Sequence, residues 1–377
     1  MSDMESSFHS IITERYELLK NTGRIKTLPP PGTRSLSSND YLGLSRHPRV
    51  TEASIRATRS FGTGATGSRY LSGNHVLNRE LAEVTLQFKA SGKGAVHIFS
   101  SGYHANLATM SLLSEISTLV FSDAENHASI IDGLQSFKGS RIVYPHNNAA
   151  FIREYIKENP GKRPVIVTES LFSMKGDMAP LSDLLEIVEE YDGLLVIDEA
   201  HATGTAGARG RGVLEALGIP FSPDRMILVG TYSKALGSLG GFVILDNRSA
   251  SILGSTARSL IYTTALPPGV LAASIESLKI LEEETGLVED LQRTSRMWQK
   301  KLKDTDSFSP IIPVEGERSS LREISERLKQ QGFYLPVLIY PTVPKGEALL
   351  RLSVNLGWGP EIHEILEASL IPKGKGD

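Results

Sequence analysis

The chain has no cysteine, which excludes disulfides, thiolate nucleophiles and cysteine-ligated metal centres. It also lacks any run of 18 or more apolar residues, so no segment reads as a membrane-spanning helix. Basic residues do not cluster and the formal net charge is only −3, so there is no electrostatic footprint for nucleic acid or for an anionic membrane. The first thirty residues carry acidic and polar groups but no apolar stretch of the signal-peptide kind, and cytoplasmic residence is the expectation. Internal repeats and low-complexity segments are absent. What is present is a 377-residue sequence, 40% hydrophobic, long enough for a large domain and a smaller one.

Between Ala95 and Leu245, short runs rich in Val, Ile and Leu alternate with segments of helical period. That alternation predicts an α/β fold with a central, mostly parallel, seven-stranded sheet flanked by helices, its strands near 95–100, 118–122, 141–144, 165–168, 194–198, 226–230 and 241–245. Several runs are apolar at successive positions, as expected where helices cover both faces. Beyond Pro267-Pro268 the pattern changes to long charged helices near 270–285 and 288–303, then to short strands and helices and a polar tail. The division expected is an N-terminal segment at 1–45, a large domain at 46–268 and a small α+β domain at 269–377.

In open α/β sheets, ligands sit beyond the carboxyl ends of strands. Ser101-Gly102-Tyr103, Glu169, Asp198, His201 and the stretch 231–234 all fall at such ends, though far apart in sequence. Lys234 follows Asp198 by 36 residues (234 minus 198), each at the end of an apolar run. A lysine amine forms a Schiff base with an aldehyde, and a buried aspartate keeps a pyridine nitrogen protonated, so this pair suits pyridoxal 5′-phosphate. Taken singly, each of these residues is more often a cap or a solvated charge. Gly102 and Tyr103 stand before a helix expected over 104–113, whose free N–H groups suit a phosphate, with Thr231 and Ser233 as further hydroxyl donors or simple turn residues. His127 precedes an apolar helix and either starts it or lies flat over the pyridine ring.

Two rival motifs carry less. Gly62-Thr63-Gly64-Ala65-Thr66-Gly67 matches the dinucleotide pattern by letter, but an amphipathic helix over 48–60 stands where a strand is required. A loop that lets backbone approach a ligand or a partner subunit is the better account. His97 and His104 have no carboxylate at metal spacing nearby, so no metal is expected.

The residues resemble the α-oxoamine synthases of the fold-type I pyridoxal-phosphate enzymes, from about Ser38 to Arg351. The motifs that carry the resemblance are Ser38-Asn39-Asp40-Tyr41-Leu42-Gly43, Gly67-Ser68-Arg69-Tyr70, Asn126-His127-Ala128-Ser129, Asp198-Glu199-Ala200-His201, Thr231-Tyr232-Ser233-Lys234 and Tyr262-Thr263-Thr264-Ala265-Leu266-Pro267-Pro268. The resemblance implies that Lys234 is the Schiff-base lysine, that Asp198 pairs the pyridinium nitrogen, that His201 hydrogen-bonds the phenolic oxygen and that His127 stacks on the ring. It implies cofactor contacts from Gly102, Tyr103, Ser173 and Thr231. It also implies a homodimer with shared active sites, Thr263 and Thr264 reaching the partner's phosphate. Substrate contacts map to Thr342 and to Arg351, whose guanidinium suits an amino-acid carboxylate, with Arg24 and Lys26 as candidates against the acyl group.

The reaction implied is a decarboxylative condensation of an amino acid with an acyl thioester. Gly176-Asp177-Met178-Ala179-Pro180-Leu181 and Gly240-Gly241 look most like the branch using L-alanine and pimeloyl-CoA or pimeloyl-acyl carrier protein in biotin synthesis. The stretch from Asn126 to Gly133 also fits the glycine and acetyl-CoA branch. One departure is Asn355-Leu356-Gly357-Trp358, where the family often reads Thr-Ala-Ala-His. Apart from another acyl transfer, the alternatives are a catalytically silent partner subunit, which would have no need of Lys234, and a dehydrogenase.

Overall fold

All seven expected strands form, and they join one sheet. In the computed structural model, which describes residues 7–26, 28–340 and 342–371, they are β1 (Ala95–Phe99), β2 (Leu119–Asp123), β3 (Ser140–Tyr144), β4 (Val165–Glu169), β5 (Leu194–Asp198), β6 (Met226–Thr231) and β7 (Gly241–Leu245). The polar tail at 373–377 lies outside the described residues, as does Pro341 beside Thr342. The sheet order is β1-β7-β6-β5-β4-β2-β3, with β7 alone running antiparallel to its neighbours. Because β7 is reversed, β1 and β6 on either side of it point the same way.

The period of two decides which side chains go where. Leu195, Ile197, Leu228 and Ile244 pack into the core on one side of the sheet, while Val196, Ile227, Val229 and Val243 pack into a second core on the other. Each such fully buried aliphatic side chain contributes on the order of 1.5–3 kcal/mol relative to exposure. Helices cover both layers. Helix Gly102–Ile116 supplies Ala105, Ala108 and Leu112 to the second core. It begins two residues earlier than expected, because Ser101 caps it by accepting from the His104 N–H, so Gly102 and Tyr103 are its first turn.

Helix Pro268–Glu283, expected near 270–285 as a long charged helix, also carries a buried apolar stripe. Leu271, Ile275, Leu278 and Leu281 are buried where the helix lies across Pro48–Phe61 and Val76–Ala90, its charges being confined to the outer stripe. A buried ion pair joins these layers: Lys89 Nζ meets Glu199 Oε2 at 2.5 Å and also donates to Thr203 Oγ1, and Glu199 accepts from the Val213 N–H. Farther along the chain, β8 (Ile311–Glu315), β9 (Val337–Ile339) and β10 (Ala348–Ser353) form an antiparallel sheet in the order β9-β10-β8, with helix Arg318–Gln330 packed on it and helix Pro360–Leu370 against that helix. The N-terminal segment is tied to this unit. Arg34–Ser35 pairs with Phe333–Tyr334, and the Ser353 and Leu356 N–H groups donate to the Leu36 and Tyr41 carbonyls. The departing Asn355 side chain caps this junction by donating to the Asp40 carbonyl. Among the described residues no helix is long and apolar enough to cross a membrane.

Candidate functional site

The carboxyl ends of β4, β5 and β6 bring Glu169, Asp198 and the turn bearing Lys234 together. The turn is rigid. The Tyr232 N–H donates to the Gly240 carbonyl, the Gly237 N–H to that of Lys234, and the Tyr232 hydroxyl is buried against Thr85 at 2.7 Å. Gly237 has φ +61°, and a Cβ there would collide with the Ser45 backbone. Lys234 is thereby held half-buried, and desolvation, opposed by Asp198 and Glu169, pulls its pKa down to about 8.

Asp198 is buried, its Oδ2 accepting from Asn106 Nδ2 at 2.7 Å and its Oδ1 from the Ala200 N–H at 2.8 Å. Burial and the Asp198 charge push the Glu169 carboxyl up to about 8. Glu169 Oε2 accepts from the Ser173 N–H, while its Oε1 is buried without a partner. Burial, with repulsion from Lys234 and Arg351, drives His201 well below the ordinary imidazole value, so its ring is neutral at pH 7. The Tyr41 hydroxyl lies 2.7 Å from His201 Nδ1. The same hydroxyl reaches Asn39 Oδ1 at 3.0 Å; when its one hydrogen goes to His201 Nδ1 instead, the ring carries its own on Nε2, available to an oxygen acceptor.

His127 is solvent-accessible and caps helix Ala128–Leu134 through its Nδ1, so the helix-start role and a place in the site coexist. Desolvation lowers its pKa, with Asp198 opposing and Lys234 reinforcing that shift. Tyr103 stands edge-on to it at 6.3 Å and donates to Asp132. Thr231 Oγ1 donates to the Gly240 carbonyl and lies 2.7 Å from Ser233 Oγ. A Cβ on Gly102 would come within 3.1 Å of Thr231 Cβ and 3.4 Å of its hydroxyl, a crowding that glycine avoids where the helix N-terminus meets this side chain.

Arg351 is buried in the same cluster. Its Nε donates to the Ser173 carbonyl at 2.6 Å, Nη1 to Ser353 Oγ at 2.8 Å and Nη2 to the Tyr41 hydroxyl at 3.2 Å. Of its five N–H groups, one on each terminal nitrogen is left for a ligand. The remaining residues do not join this cluster within one chain. Thr263 and Thr264 lie on the Gly-rich loop, where Thr264 pairs with Ser68 and the Ala265 N–H donates to Gly67. Gly62 ends helix Pro48–Phe61, so no strand precedes that loop and the dinucleotide motif fails. Arg24 stacks on Tyr340 at 5.4 Å, Lys26 is exposed, and Thr342 is exposed with its N–H donating to the Ile339 carbonyl. His97 and His104 are taken up by the Ala250 carbonyl and Ser100.

Asn106 and the Tyr41 hydroxyl were not singled out in the sequence. The available signal for Asn106 was a lone amide on the apolar side of a helix, beside Ala105 and Thr109. Together the cluster offers a weakly basic amine, a fixed carboxylate, a neutral imidazole donor and a guanidinium. That set suits a heteroaromatic aldehyde with an anionic arm, and a second ligand bearing a carboxylate.

The profile of the aminotransferase class I and II family matches residues 33–367. A protein of Aquifex aeolicus (strain VF5), provisionally named 8-amino-7-oxononanoate synthase, is 41% identical over 357 residues, 92% of this chain and 93% of the relative. The 8-amino-7-oxononanoate synthase of Thermoanaerobacter pseudethanolicus is 36% identical and covers 97% of this chain and 96% of its own. Among solved structures, a serine palmitoyltransferase from S. paucimobilis with pyridoxal phosphate and myriocin bound superposes with a TM-score of 0.84 at 28% identity, covering 98% of both chains. The 8-amino-7-oxononanoate synthase of Francisella tularensis gives 0.72 at 28% identity over 89% of this chain and 96% of that one.

Proposed function

The chain belongs to the aminotransferase class I and II family, and from that premise we propose that it joins L-alanine to a pimeloyl thioester, on coenzyme A or an acyl carrier protein. The products would be 8-amino-7-oxononanoate, carbon dioxide and free thiol, in biotin synthesis. Whatever its exact substrates, the chain is a pyridoxal-phosphate-dependent acyltransferase with α-oxoamine synthase activity. The observation that carries the reading is the convergence of Lys234, Asp198, His201 and Arg351 in one cluster. The residues fit the cofactor: Asp198 is a fixed carboxylate for a ring nitrogen, His201 a neutral donor for the phenolic oxygen, and the Gly102 turn with Thr231 a cradle for the phosphate.

Bound there, pyridoxal phosphate supplies an aldehyde for amine capture and a ring that accepts the electron pair released from carbon. Lys234, its pKa near 8, would hold the cofactor through its neutral amine and, when free, would take the substrate's α-proton. Arg351 orients the substrate through its carboxylate, using the two N–H groups that the protein leaves unbonded. The deprotonated carbon attacks the thioester carbonyl, the sulfur departs with the C–S electron pair as thiolate and takes a proton from solvent, the carboxyl leaves as carbon dioxide, and the Lys234 ammonium returns its proton to carbon. Asp198, fixed by Asn106 and the Ala200 N–H, would hold the ring nitrogen by charge. His127 would cover the ring, and Thr342 with either Arg24 or Lys26 would face the acyl donor. The active unit in this reading is a homodimer, Thr263 and Thr264 serving the partner's phosphate. Exposed Tyr70, Leu71 and Tyr262 beside them support that face.

A second reading, L-serine with a long-chain acyl thioester, is favoured by the better superposition on serine palmitoyltransferase. Thiol release by the loaded enzyme from pimeloyl thioester with L-alanine, palmitoyl-CoA with L-serine, and acetyl-CoA with glycine separates these. Release confined to the first pair supports the proposal, and release confined to either other pair replaces its substrates.

A further inference from the structure

Arg351 is seated by a loop rather than by another charge. The loop 170–180, between β4 and helix Leu181–Glu190, presents the Ser173 carbonyl to Arg351 Nε and the Ser173 N–H to Glu169. It folds back on itself, with the Phe172 N–H donating to the Asp177 carbonyl and Leu171 bridging Met178. Its tip is gripped from outside the site. His146, just beyond β3, sets Nδ1 at 2.8 Å from Asp123 Oδ1 and Nε2 at 2.7 Å from Asp177 Oδ2, and its ring stands edge-on to Phe172 at 4.4 Å. Asn147, at φ +57°, donates its N–H to Asp123 and its side-chain amide to Asp177. Glu125 lies 3.8 Å from His146 Nε2 and is paired with Lys175 of the same loop.

We propose that His146, held between Asp123 and Asp177, is a positioning residue that sets Arg351 through the loop 170–180 and so governs affinity for the carboxylate of the amino-acid substrate. The inference rests on the reading of Arg351 as the carboxylate grip. Two carboxylate oxygens accept from the two ring nitrogens, which requires both to carry hydrogen and the imidazole to be charged. Partial burial opposes that charge, but the hydrogen bonds to Asp123 and Asp177 outweigh it and raise the His146 pKa above its ordinary value. A pKa raised by folding means that the clamp is complete below about pH 6.5 and is lost as pH rises through the folded value. Release of Asp177 frees the loop, and Arg351 loses the carbonyl that aims it.

The test uses the pyridoxal-phosphate-loaded enzyme without acyl thioester, titrated with L-alanine and with ethylamine, cofactor absorbance reporting each. Glycine and L-serine carry the same carboxylate and serve equally if alanine is not the preferred amino acid. His146→Ala should lose about tenfold in affinity for the amino acid while ethylamine binding stays unchanged, with saturating turnover within about threefold. Asp177→Asn, which keeps size and shape, should move the fall in amino-acid affinity to lower pH. Equal loss for both ligands, or an unmoved pH profile in Asp177→Asn, overturns the clamp. Arg351→Gln separates the two layers of the argument. If it erases the preference for the amino acid over ethylamine while His146→Ala retains it in full, the clamp alone is wrong. If Arg351→Gln itself keeps that preference, the carboxylate grip is wrong and the clamp falls with it.

Discussion

At Lys234, desolvation costs the ammonium more than the nearby carboxylates return, and the amine is left with a pKa near 8 instead of the ordinary value for lysine. Because the pKa is lowered, the reactive neutral form grows as pH rises and is nearly complete a unit above that point. Cofactor capture by the cofactor-free protein, read by mass after borohydride reduction, should therefore rise through about pH 8 and level off. A rise that continues to pH 10 would contradict the desolvated amine. Lys234→Ala should abolish both the adduct and turnover. Asn106 tests the other side of the ring. Replacing it with Leu strips Asp198 of a 2.7 Å charge-assisted hydrogen bond and should weaken pyridoxal phosphate binding about 10- to 100-fold, measurable by equilibrium dialysis. Asp198 and Lys234 were legible because each ends an apolar run. Asn106 and Tyr41 were not, since their importance depends on which strand end each one meets in three dimensions.

At the scale of elements, the strands were the most legible feature. Runs such as Leu194–Asp198 are apolar at consecutive positions, and the sheet's two covered faces require that. Helix Pro268–Glu283 read as a long charged helix because its glutamates crowd one end, while Leu271, Ile275 and Leu278 one turn apart are the part that packs. Turn geometry carries its own expectation. Gly176 has φ +70°, and a Cβ there would strike the Ile311 carbonyl, so Gly176→Ala combines backbone strain with a clash at the contact between the Ser173 loop and β8. A destabilisation of about 1–3 kcal/mol in urea unfolding is expected, with amino-acid affinity falling alongside.

Across the whole molecule, the layers are tied together by groups distant in sequence. Lys89 and Glu199 are almost fully enclosed, and a lysine truncated to an uncharged side chain leaves the carboxylate uncompensated. Lys89→Met should cost about 3–5 kcal/mol by denaturant titration, whereas Lys89→Met paired with Glu199→Leu should recover much of that loss. The placement of Thr263, Thr264, Arg24 and Thr342 was legible only as motif, because a single chain gives these residues no contact with Lys234 among the described residues. The reversed strand β7 has a further consequence, in the order in which the chain can assemble. Within this sheet β1 pairs only with β7, so Ala95 waits for Leu245, 150 residues later (245 minus 95), before its edge is covered. At ribosomal rates of about 5–20 residues per second, that edge stays open for roughly 8–30 seconds during synthesis. Only when β7 has slotted between β1 and β6 does the helix that starts at Gly102 come to rest beside Thr231, which makes the phosphate cradle a late event in the birth of each molecule.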